Sequence, residues 1–375
     1  MKLETLMVHA GAERDPATGS LAPPIHLSTT FEHGPGGERP HGLIYIRDGN
    51  PTEARLEPAL AAAEGGGSGL VFASGVAAGA ALLQALPPES HVLFPEDIYF
   101  VIRVMASQYL PRWGLTHTFV DMQNLDAVRA AIRPGTRAVW TESPSNPLMR
   151  VTDLAGIAAI ARDAGALLVC DNTFATPVLQ RPLDLGADVV LHSTTKYLGG
   201  HSDVQGGALI FAAKHAGLAG KTHSVRTVTG GVASPFNSWL VLRGLRSLPC
   251  RMERHASNAL ALARVLQNHP SIETVHYPGL ADDPGHGVAR RQMTAFGGML
   301  SIRLKGGRER AVAVAARVRL FTNATSLGGT ESLIEHRASS EGPATTTPQN
   351  LLRISAGLEH PDDLVADLEQ ALAGG

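Results

Sequence analysis

Short apolar runs recur through the first half of the chain, separated by turn residues and by longer stretches of small and apolar residues. Runs of three to five apolar residues suit strands buried on both faces of a sheet, and the longer stretches suit helices. Because strand and helix alternate, the pattern predicts an α/β fold with a mostly parallel sheet flanked by helices. The predicted strands are 70–73, 92–94, 138–140, 166–170 and 189–191, and the predicted helices between them are 76–86 and 153–164.

The first 45 residues lack this pattern and contain many breakers, among them Pro23 and Pro24. A segment without its own periodicity needs a surface to pack against. We therefore expect residues 1–45 to form an arm that contacts the neighbouring subunit of a homo-oligomer. A helical stretch follows at about 52–63 and is ended by the glycines at 65–67.

After residue 235 the pattern changes to a single long helical stretch at 235–268. Shorter elements follow, which is typical of a smaller α+β unit. We therefore expect a large cofactor-binding domain at 46–235 and a C-terminal domain at 236–375. The elements predicted in the latter are strands at 272–277, 299–304 and 351–354 and a closing helix at 362–372.

The overall composition is that of an ordinary soluble globular protein, with 44% hydrophobic residues and a net charge of −2. This balance gives no reason to expect a nucleic-acid partner, and no apolar run approaches the length of a membrane span. The amino terminus shows no signal-peptide pattern, so we expect a cytoplasmic location. Cys170 and Cys250 are expected to be reduced residues of the core.

Three polar residues follow three of the predicted strands. Asn146, Asp171 and Lys196 are each 25 residues from the next, which is the spacing of βαβ units. Because the carboxyl ends of parallel strands lie along one edge of a sheet, we expect the three side chains to face one site. A lysine amine at such an edge suits Schiff-base chemistry.

The turn after the first predicted strand supplies a candidate phosphate site. Ser74-Gly75 leads into a helix, so the backbone N–H groups of Gly75 and Val76 are available to an anion. The hydroxyls of Ser193 and Thr195 would point the same way in an extended segment and add further donors. A turn of this composition is common, so the signal depends on the residues around it.

An amine, a carboxylate, an aromatic ring and a phosphate cradle together indicate pyridoxal 5'-phosphate (PLP) as the cofactor. Lys196 would bind the aldehyde carbon, and Asp171 would pair with the pyridine nitrogen. Tyr99 could stack on the ring. A further charged residue, Arg353, interrupts the apolar run 351–354 and needs an anion, supplied either by a protein carboxylate or by a substrate carboxylate.

Five segments carry a resemblance to a known family. They are YIRDGNPT (45–52), ESPSNPLMRVTD (142–153), DNTFATPVLQRPLDLGADVVLHSTTKYLGGHSDV (171–204), SLGGTESLI (326–334) and LLRISAGLE (351–359). They resemble the Cys/Met-metabolism (trans-sulfuration) family of PLP-dependent enzymes. That family includes cystathionine γ-synthases, cystathionine γ- and β-lyases, methionine γ-lyases and O-acetylhomoserine sulfhydrylases.

The resemblance implies the type I fold of PLP-dependent transferases and assigns roles to individual residues. Lys196 and Tyr99 are the implied catalytic residues. Tyr45 and Arg47 are implied to reach the phosphate of a neighbouring subunit, which makes the active unit at least a dimer and typically a tetramer built as a dimer of dimers. The implied cofactor-binding residues are Tyr45, Arg47, Gly75, Val76, Tyr99, Asp171, Thr173, Ser193, Thr195 and Lys196, and Asn146, Ser326 and Arg353 are implied to bind the α-carboxylate of an amino-acid substrate.

The implied reaction is γ-replacement or γ-elimination on a homoserine ester or a cystathionine-type amino acid. The chain departs from the usual pattern at Thr325, where relatives that act on cystathionine usually carry Glu, and at Ile44, where γ-synthases usually carry Asp. The usual Thr-His after the ESLI segment is absent, and in its place stand His336-Arg337-Ala338 and, later, Glu341-Gly342-Pro343. Since these positions line the expected distal pocket, methionine γ-lyase, O-acetylhomoserine sulfhydrylase and cystathionine β-lyase activities stay open as alternatives.

Two other classes of protein, a regulatory paralogue and a metalloenzyme, fit the sequence less well than a PLP-dependent enzyme does. A regulatory paralogue without activity would have no reason to keep the lysine, the ring carboxylate, the tyrosine and the arginine together. A metalloenzyme is suggested by the 16 histidines, including His192 and His201. They show no HExxH motif or paired Cys/His spacing, so we expect no metal site.

Overall fold

The computed structural model describes residues 1–374, which form two β-sheets surrounded by helices. The strands are β1 Ser68–Phe72, β2 His91–Pro95, β3 Thr116–Val120, β4 Thr136–Glu142, β5 Leu167–Asp171, β6 Val189–His192, β7 Gly207–Phe211, β8 Ile272–His276, β9 Met299–Leu304, β10 Thr322–Asn323, β11 Leu333–His336 and β12 Leu351–Ser355. The α-helices are α1 Leu3–His9, α2 Glu53–Glu64, α3 Gly75–Gln84, α4 Phe100–Val104, α5 Leu125–Ala131, α6 Leu154–Asp163, α7 Thr176–Leu179, α8 Ala216–Thr229, α9 Pro235–Leu245, α10 Leu248–Leu266, α11 His286–Gln292, α12 Gly307–Arg317, α13 Arg337–Glu341 and α14 Pro361–Ala373. Short 3₁₀ segments lie at Leu110–Trp113, Pro182–Leu185 and Ala213–His215, and Met105–Tyr109 is a π-helical segment.

The larger sheet has seven strands in the order β1-β7-β6-β5-β4-β2-β3. β7 runs antiparallel to its two neighbours, and the other neighbouring strands are parallel. The prediction of a mostly parallel sheet is therefore confirmed. β4, β5 and β6 are adjacent, with Glu142 opposite Asp171 and Asp171 opposite Leu191, so their carboxyl ends emerge side by side.

The smaller sheet has five strands in the order β10-β11-β12-β9-β8 and is antiparallel except for the β10–β11 pair. Its apolar residues, such as Ile302 and Ile354, form one core with residues of α10, α12 and α14, such as Leu368. This is the α+β arrangement expected for the second half of the chain. The boundaries proposed for the domains stay predictions.

The prediction of one long helix at 235–268 is wrong. The structure has two helices, because α9 ends at Leu245 and α10 begins at Leu248. Pro249 lies in the first turn of α10. If α9 continued through this position, the proline ring would clash with the helical carbonyl four residues earlier. The break brings Arg251 against the main chain after Lys196, where its Nη1 donates to the Tyr197 carbonyl at 2.7 Å.

The first 45 residues are not wholly without structure of their own, contrary to the sequence-based expectation. They begin with α1, whose Met7 is fully buried in the same core as Leu56 of α2 and Leu242 of α9. Trp239 holds a later part of this segment in place, because its Nε1 donates to the carbonyl of Pro23 at 2.9 Å. Contact of the rest of the arm with a neighbouring subunit stays a prediction.

Both cysteines are unpaired, but only Cys170 is buried. The expectation that Cys250 belongs to the core is wrong, because it lies on the exposed face of α10. Within residues 1–374, no helix combines the length and the apolar character needed to cross a membrane.

Candidate active site

A cavity opens at the carboxyl ends of β4, β5 and β6, and residues near the second sheet complete its wall. Most of the residues predicted to form a site lie on this one surface. Those that line the cavity are Gly75, Val76, Tyr99, Asn146, Asp171, Thr173, Ser193, Thr195, Lys196, Ser326 and Arg353.

Lys196 lies in a turn directly after β6, and its Nζ donates to the Ser326 hydroxyl at 2.6 Å. Burial lowers the pKa of Lys196 to about 8, and the positive charges of Arg353 and Arg337 act in the same direction. Ser326 has a φ of +83°, a left-handed conformation that a serine adopts only when its surroundings require it. The amine is therefore held in place and is much closer to its neutral, nucleophilic form than a surface lysine is.

Asp171 is the last residue of β5 and is buried at the cavity wall. Burial raises the pKa of Asp171, and the hydroxyl and N–H of Thr173 oppose that effect. The Thr173 N–H donates to Asp171 Oδ1 at 3.0 Å, and the Thr173 hydroxyl accepts the Ser193 N–H at 2.9 Å. Thr173 thus fixes the carboxylate relative to the turn that carries Lys196, and a ligand cation beside Asp171 would keep it ionised.

The N-terminus of α3 faces the same cavity. Ser74 caps the helix by accepting the Ala77 N–H at 3.1 Å, which leaves the first-turn N–H groups of Gly75 and Val76 without an intrahelical acceptor. A Cβ at position 75 would lie 3.0 Å from Cβ of Ser193, so the close approach of the two segments favours glycine. The two donors and the positive end of the helix dipole form an anion cradle.

Ser193 and Thr195 line the same cavity, but not in the extended conformation that the sequence analysis assumed. The extended segment assumed for them ends at His192, and residues 194–198 form turns. Thr195 is held by the Gly206 N–H, which donates to its hydroxyl at 3.0 Å.

Glu142 is a cavity residue that the sequence analysis missed. It ends β4 opposite Asp171, and its Oε2 accepts the N–H of Tyr99 at 3.1 Å. Burial raises the pKa of Glu142 well above its ordinary value, and the neighbouring Asp171 raises it further. These effects favour the protonated form of the carboxyl, which anchors the main chain from which the Tyr99 ring projects. Glu142, like Asp171, ends a buried strand, and that position was the feature of the sequence that could have predicted it as a site residue.

Arg353 is buried and has the protein carboxylate of Glu335 as one anionic partner, whereas its role toward a substrate carboxylate stays a prediction. Its Nη2 donates to Glu335 at 2.7 Å and to the Ser326 carbonyl at 2.9 Å. Its Nη1 donates to Asn146 Oδ1 at 3.2 Å, so the two residues predicted to bind a carboxylate are in contact. Burial lowers the pKa of Arg353 to about 10, and the nearby Arg337 contributes to that shift.

Tyr45 and Arg47 do not line the cavity of their own chain. They lie together in the arm, with the Arg47 guanidinium 5.1 Å from the centre of the Tyr45 ring, and 43% of Tyr45 is exposed. Their role at the site of a neighbouring subunit stays a prediction.

Comparison with known proteins gives one consistent result. The Cys/Met metabolism PLP-dependent enzyme family matches residues 4–373. The cystathionine γ-synthase of Mycobacterium bovis is 48% identical over 375 residues, covering 98% of this chain and 96% of that protein. The cystathionine γ-lyase of Bacillus subtilis is 42% identical over 380 residues, covering 99% of each chain.

A solved structure agrees with these relatives. The crystal structure of metB from Corynebacterium glutamicum superposes with a TM-score of 0.96 at 42% identity, covering 99% of this chain and 98% of that one. The type I fold of PLP-dependent enzymes expected from the resemblance is thereby confirmed. This chain belongs to the Cys/Met metabolism family of PLP-dependent enzymes.

Proposed function

We propose that this PLP-dependent enzyme carries out γ-replacement or γ-elimination on a homoserine ester or a cystathionine-type amino acid. The observation that carries the proposal is the convergence of a buried amine, a buried carboxylate and a helix N-terminus on one cavity. The 48% identity to a cystathionine γ-synthase over nearly the whole chain supports chemistry at the γ carbon.

The residues present fit PLP. The N–H groups of Gly75 and Val76, with the hydroxyls of Ser193 and Thr195, would hold the phosphate. Asp171 would accept a hydrogen bond from the protonated ring nitrogen, with Thr173 fixing its orientation. The fit is supported by the Gly75 position, where a Cβ would intrude on the cradle.

The aromatic ring of Tyr99 would stack on the cofactor ring. Lys196 supplies the amine that carries the cofactor, with the Ser326 hydroxyl as its present partner at 2.6 Å. When bound, PLP supplies an electron sink that stabilises negative charge at the reacting carbons of the substrate.

Lys196 then acts as the base. An amine with a pKa of about 8 can take up and return a proton near neutral pH, so Lys196 Nζ would remove the proton at Cα and move a proton at Cβ. Burial raises the pKa of Tyr99, so its phenol stays neutral and can donate a proton to the leaving group at Cγ.

Arg353, Asn146 and Ser326 would orient the substrate. The planar guanidinium of Arg353 suits a carboxylate, and the Asn146 contact at 3.2 Å fixes the plane in which it is offered. The α-carboxylate of the substrate would thus be held at Arg353, while the amino group of the substrate faces Lys196.

We also propose that the enzyme is a cytoplasmic homotetramer, a dimer of dimers, in which the arm supplies Tyr45 and Arg47 to the phosphate of a neighbouring subunit. The exposure of Tyr45 beside Arg47 in the single chain supports this assembly. Two unpaired cysteines, one of them exposed, support a reducing compartment.

The test is to incubate the purified holoenzyme with cystathionine, methionine, homocysteine and acylated homoserines, with and without cysteine, and to measure 2-oxobutyrate, pyruvate and thioether products. We expect 2-oxobutyrate or a thioether. Pyruvate from cystathionine would instead favour β-elimination.

Lys196→Ala should abolish both turnover and the visible absorbance of the bound cofactor. Lys305→Ala is the matched control, because Lys305 is exposed, its Nζ donates to the Pro270 carbonyl, and it does not line the cavity. Retained steady-state turnover in Lys196→Ala would refute the assignment.

A further inference from the structure

We propose that Arg337 is a second anion-binding residue of the cavity and that it selects substrates whose γ-substituent ends in a carboxylate. The proposal rests on the proposed function and names its substrate class more narrowly.

Arg337 begins the short helix α13 directly after β11, and it lines the cavity together with Thr325, Tyr99 and Arg353. Only 5% of the residue is exposed. A nearly buried guanidinium in a ligand cavity is costly unless anions surround it, so its place there needs an explanation beyond solubility.

Two glutamates fix the plane of the guanidinium. Arg337 Nε donates to Glu341 at 3.1 Å, and Nη1 donates to Glu335 at 3.2 Å. Nη2 makes no hydrogen bond within the part of the chain that the structure describes. Nε and Nη1 are therefore anchored by the protein, and Nη2, with its two N–H donors, is left for a ligand.

The anchoring glutamate is itself fixed. Glu341 accepts the hydroxyls of Thr345 at 2.5 Å and Thr347 at 2.7 Å, and its side chain is as buried as that of Arg337. The loop after α13 is thus folded around the carboxylate that supports Arg337. A surface arginine has no such supports, so the arrangement indicates a positioned group.

The guanidinium groups of Arg353 and Arg337 meet at one carboxylate beside the cavity. Glu335 is shared between Arg353 at 2.7 Å and Arg337 at 3.2 Å. Burial alone would raise the pKa of Glu335, but the two guanidinium groups outweigh it and hold the pKa below its ordinary value. The same two charges lower the pKa of Lys196, so both lie close to the reacting atoms.

An amino-acid substrate brings one α-carboxylate, which pairs with Arg353. A second carboxylate at the end of the γ-substituent would pair with Arg337 and relieve the repulsion between the two guanidinium groups. An acetyl ester or a methylthio group offers no charge to Arg337. We therefore expect the enzyme to prefer O-succinylhomoserine to O-acetylhomoserine, and cystathionine to methionine.

The experiment compares kcat/KM for O-succinylhomoserine and O-acetylhomoserine in the wild-type holoenzyme and in Arg337→Met. Loss of a charged hydrogen bond to the substrate should lower kcat/KM for the succinyl ester by about 10- to 100-fold and change that for the acetyl ester by less than about 3-fold. Arg308→Met is the matched control, because Arg308 is exposed, donates to Ser339 of the same short helix at 3.1 Å and does not line the cavity. It should leave both values unchanged.

Equal losses for both esters would overturn the proposal, because they would mean that Arg337 only supports the fold. Arg337→Lys, which keeps the charge without the fork, decides the question if the methionine variant fails to bind its cofactor, and it should also lose selectivity for the succinyl ester. A wild-type enzyme that turns over the acetyl ester but does not favour the succinyl ester overturns this proposal alone. A wild-type enzyme that turns over no γ-substituted amino acid overturns the proposed function and this proposal together.

Discussion

Replacing Glu142 tests whether a neutral carboxyl anchors the cavity. Its Oε2 accepts the Tyr99 N–H at 3.1 Å, and the N–H groups of Tyr99 and Asn146 both pull its pKa downward. Burial and the charge of Asp171 nevertheless keep the pKa of Glu142 well above its ordinary value. Glutamine has the shape of a protonated glutamate and keeps an acceptor, whereas alanine keeps neither.

The expected magnitudes follow from these contacts. Glu142→Ala leaves the Tyr99 N–H without its acceptor, at a cost of about 1–3 kcal/mol, and removes buried atoms worth about 1 kcal/mol more. We therefore expect the free energy of unfolding to fall by about 2–4 kcal/mol in Glu142→Ala. Glu142→Gln should fall no more than about 1 kcal/mol below the wild type in free energy of unfolding at neutral pH, with turnover largely retained.

The pH dependence of stability separates a neutral from an ionised Glu142. A carboxyl with a raised pKa in the folded state contributes stability that is fully present below its ordinary value near 4.5 and is lost as the pH rises through the folded-state value. The loss can reach about 1.4 kcal/mol per pH unit. Glu142→Gln lacks this proton, so its stability relative to the wild type should increase as the pH rises.

The assay is urea unfolding of the cofactor-saturated protein between about pH 6 and about pH 8, followed by far-UV circular dichroism. Glu53→Gln is the matched control, because burial raises the pKa of Glu53 to about 8 at a position outside the cavity. It should show a similar trend in stability and leave turnover unchanged. The reasoning fails if Glu142→Gln is as destabilised as Glu142→Ala, or if its stability relative to the wild type does not change with pH.

Three further changes probe the cofactor site and its support. Thr173→Val removes the acceptor of the Ser193 N–H and should weaken cofactor binding by about 5- to 10-fold, measured by titrating the apoenzyme with PLP. Gly75→Ala should weaken cofactor binding by at least about 10-fold, whereas Gly217→Ala, where a Cβ meets nothing within 4 Å, should not; equal affinities would contradict the cradle. Arg251→Met removes two hydrogen bonds to main-chain carbonyls at 2.7 Å each and should lower the melting temperature by several degrees, and an unchanged melting temperature would show that these bonds add nothing.

The sequence predicted the part of the site that depends on strand order. Asn146, Asp171 and Lys196 could be placed together because each follows a buried strand and because parallel strands end at one edge. Gly75 could be added because a glycine turn before a helix has a local meaning. These inferences need only neighbouring residues and the handedness of strand connections.

The rest of the site depends on contacts between distant segments. The role of Glu335 follows only from the pairing of β11 with β12, because the carboxylate of one strand pairs with Arg353 of the next. The acidic Glu335 directly after the apolar pair Leu333-Ile334 was a signal in the sequence for a buried carboxylate. The prediction of a single long helix was wrong for a local reason. Pro249 interrupts a stretch whose apolar periodicity otherwise continues.

The cavity wall comes from two separate blocks of the chain. Residues 74–205 surround the amine, the ring carboxylate and the anion cradle, whereas residues 325–353 supply Ser326 and Arg353, which would orient the α-carboxylate, and Arg337, which would face the variable end of a substrate. Cofactor chemistry and substrate preference are thus encoded in different stretches of the gene. A chimera that exchanges only the last stretch between relatives could acquire a new leaving-group preference while inheriting an intact catalytic apparatus.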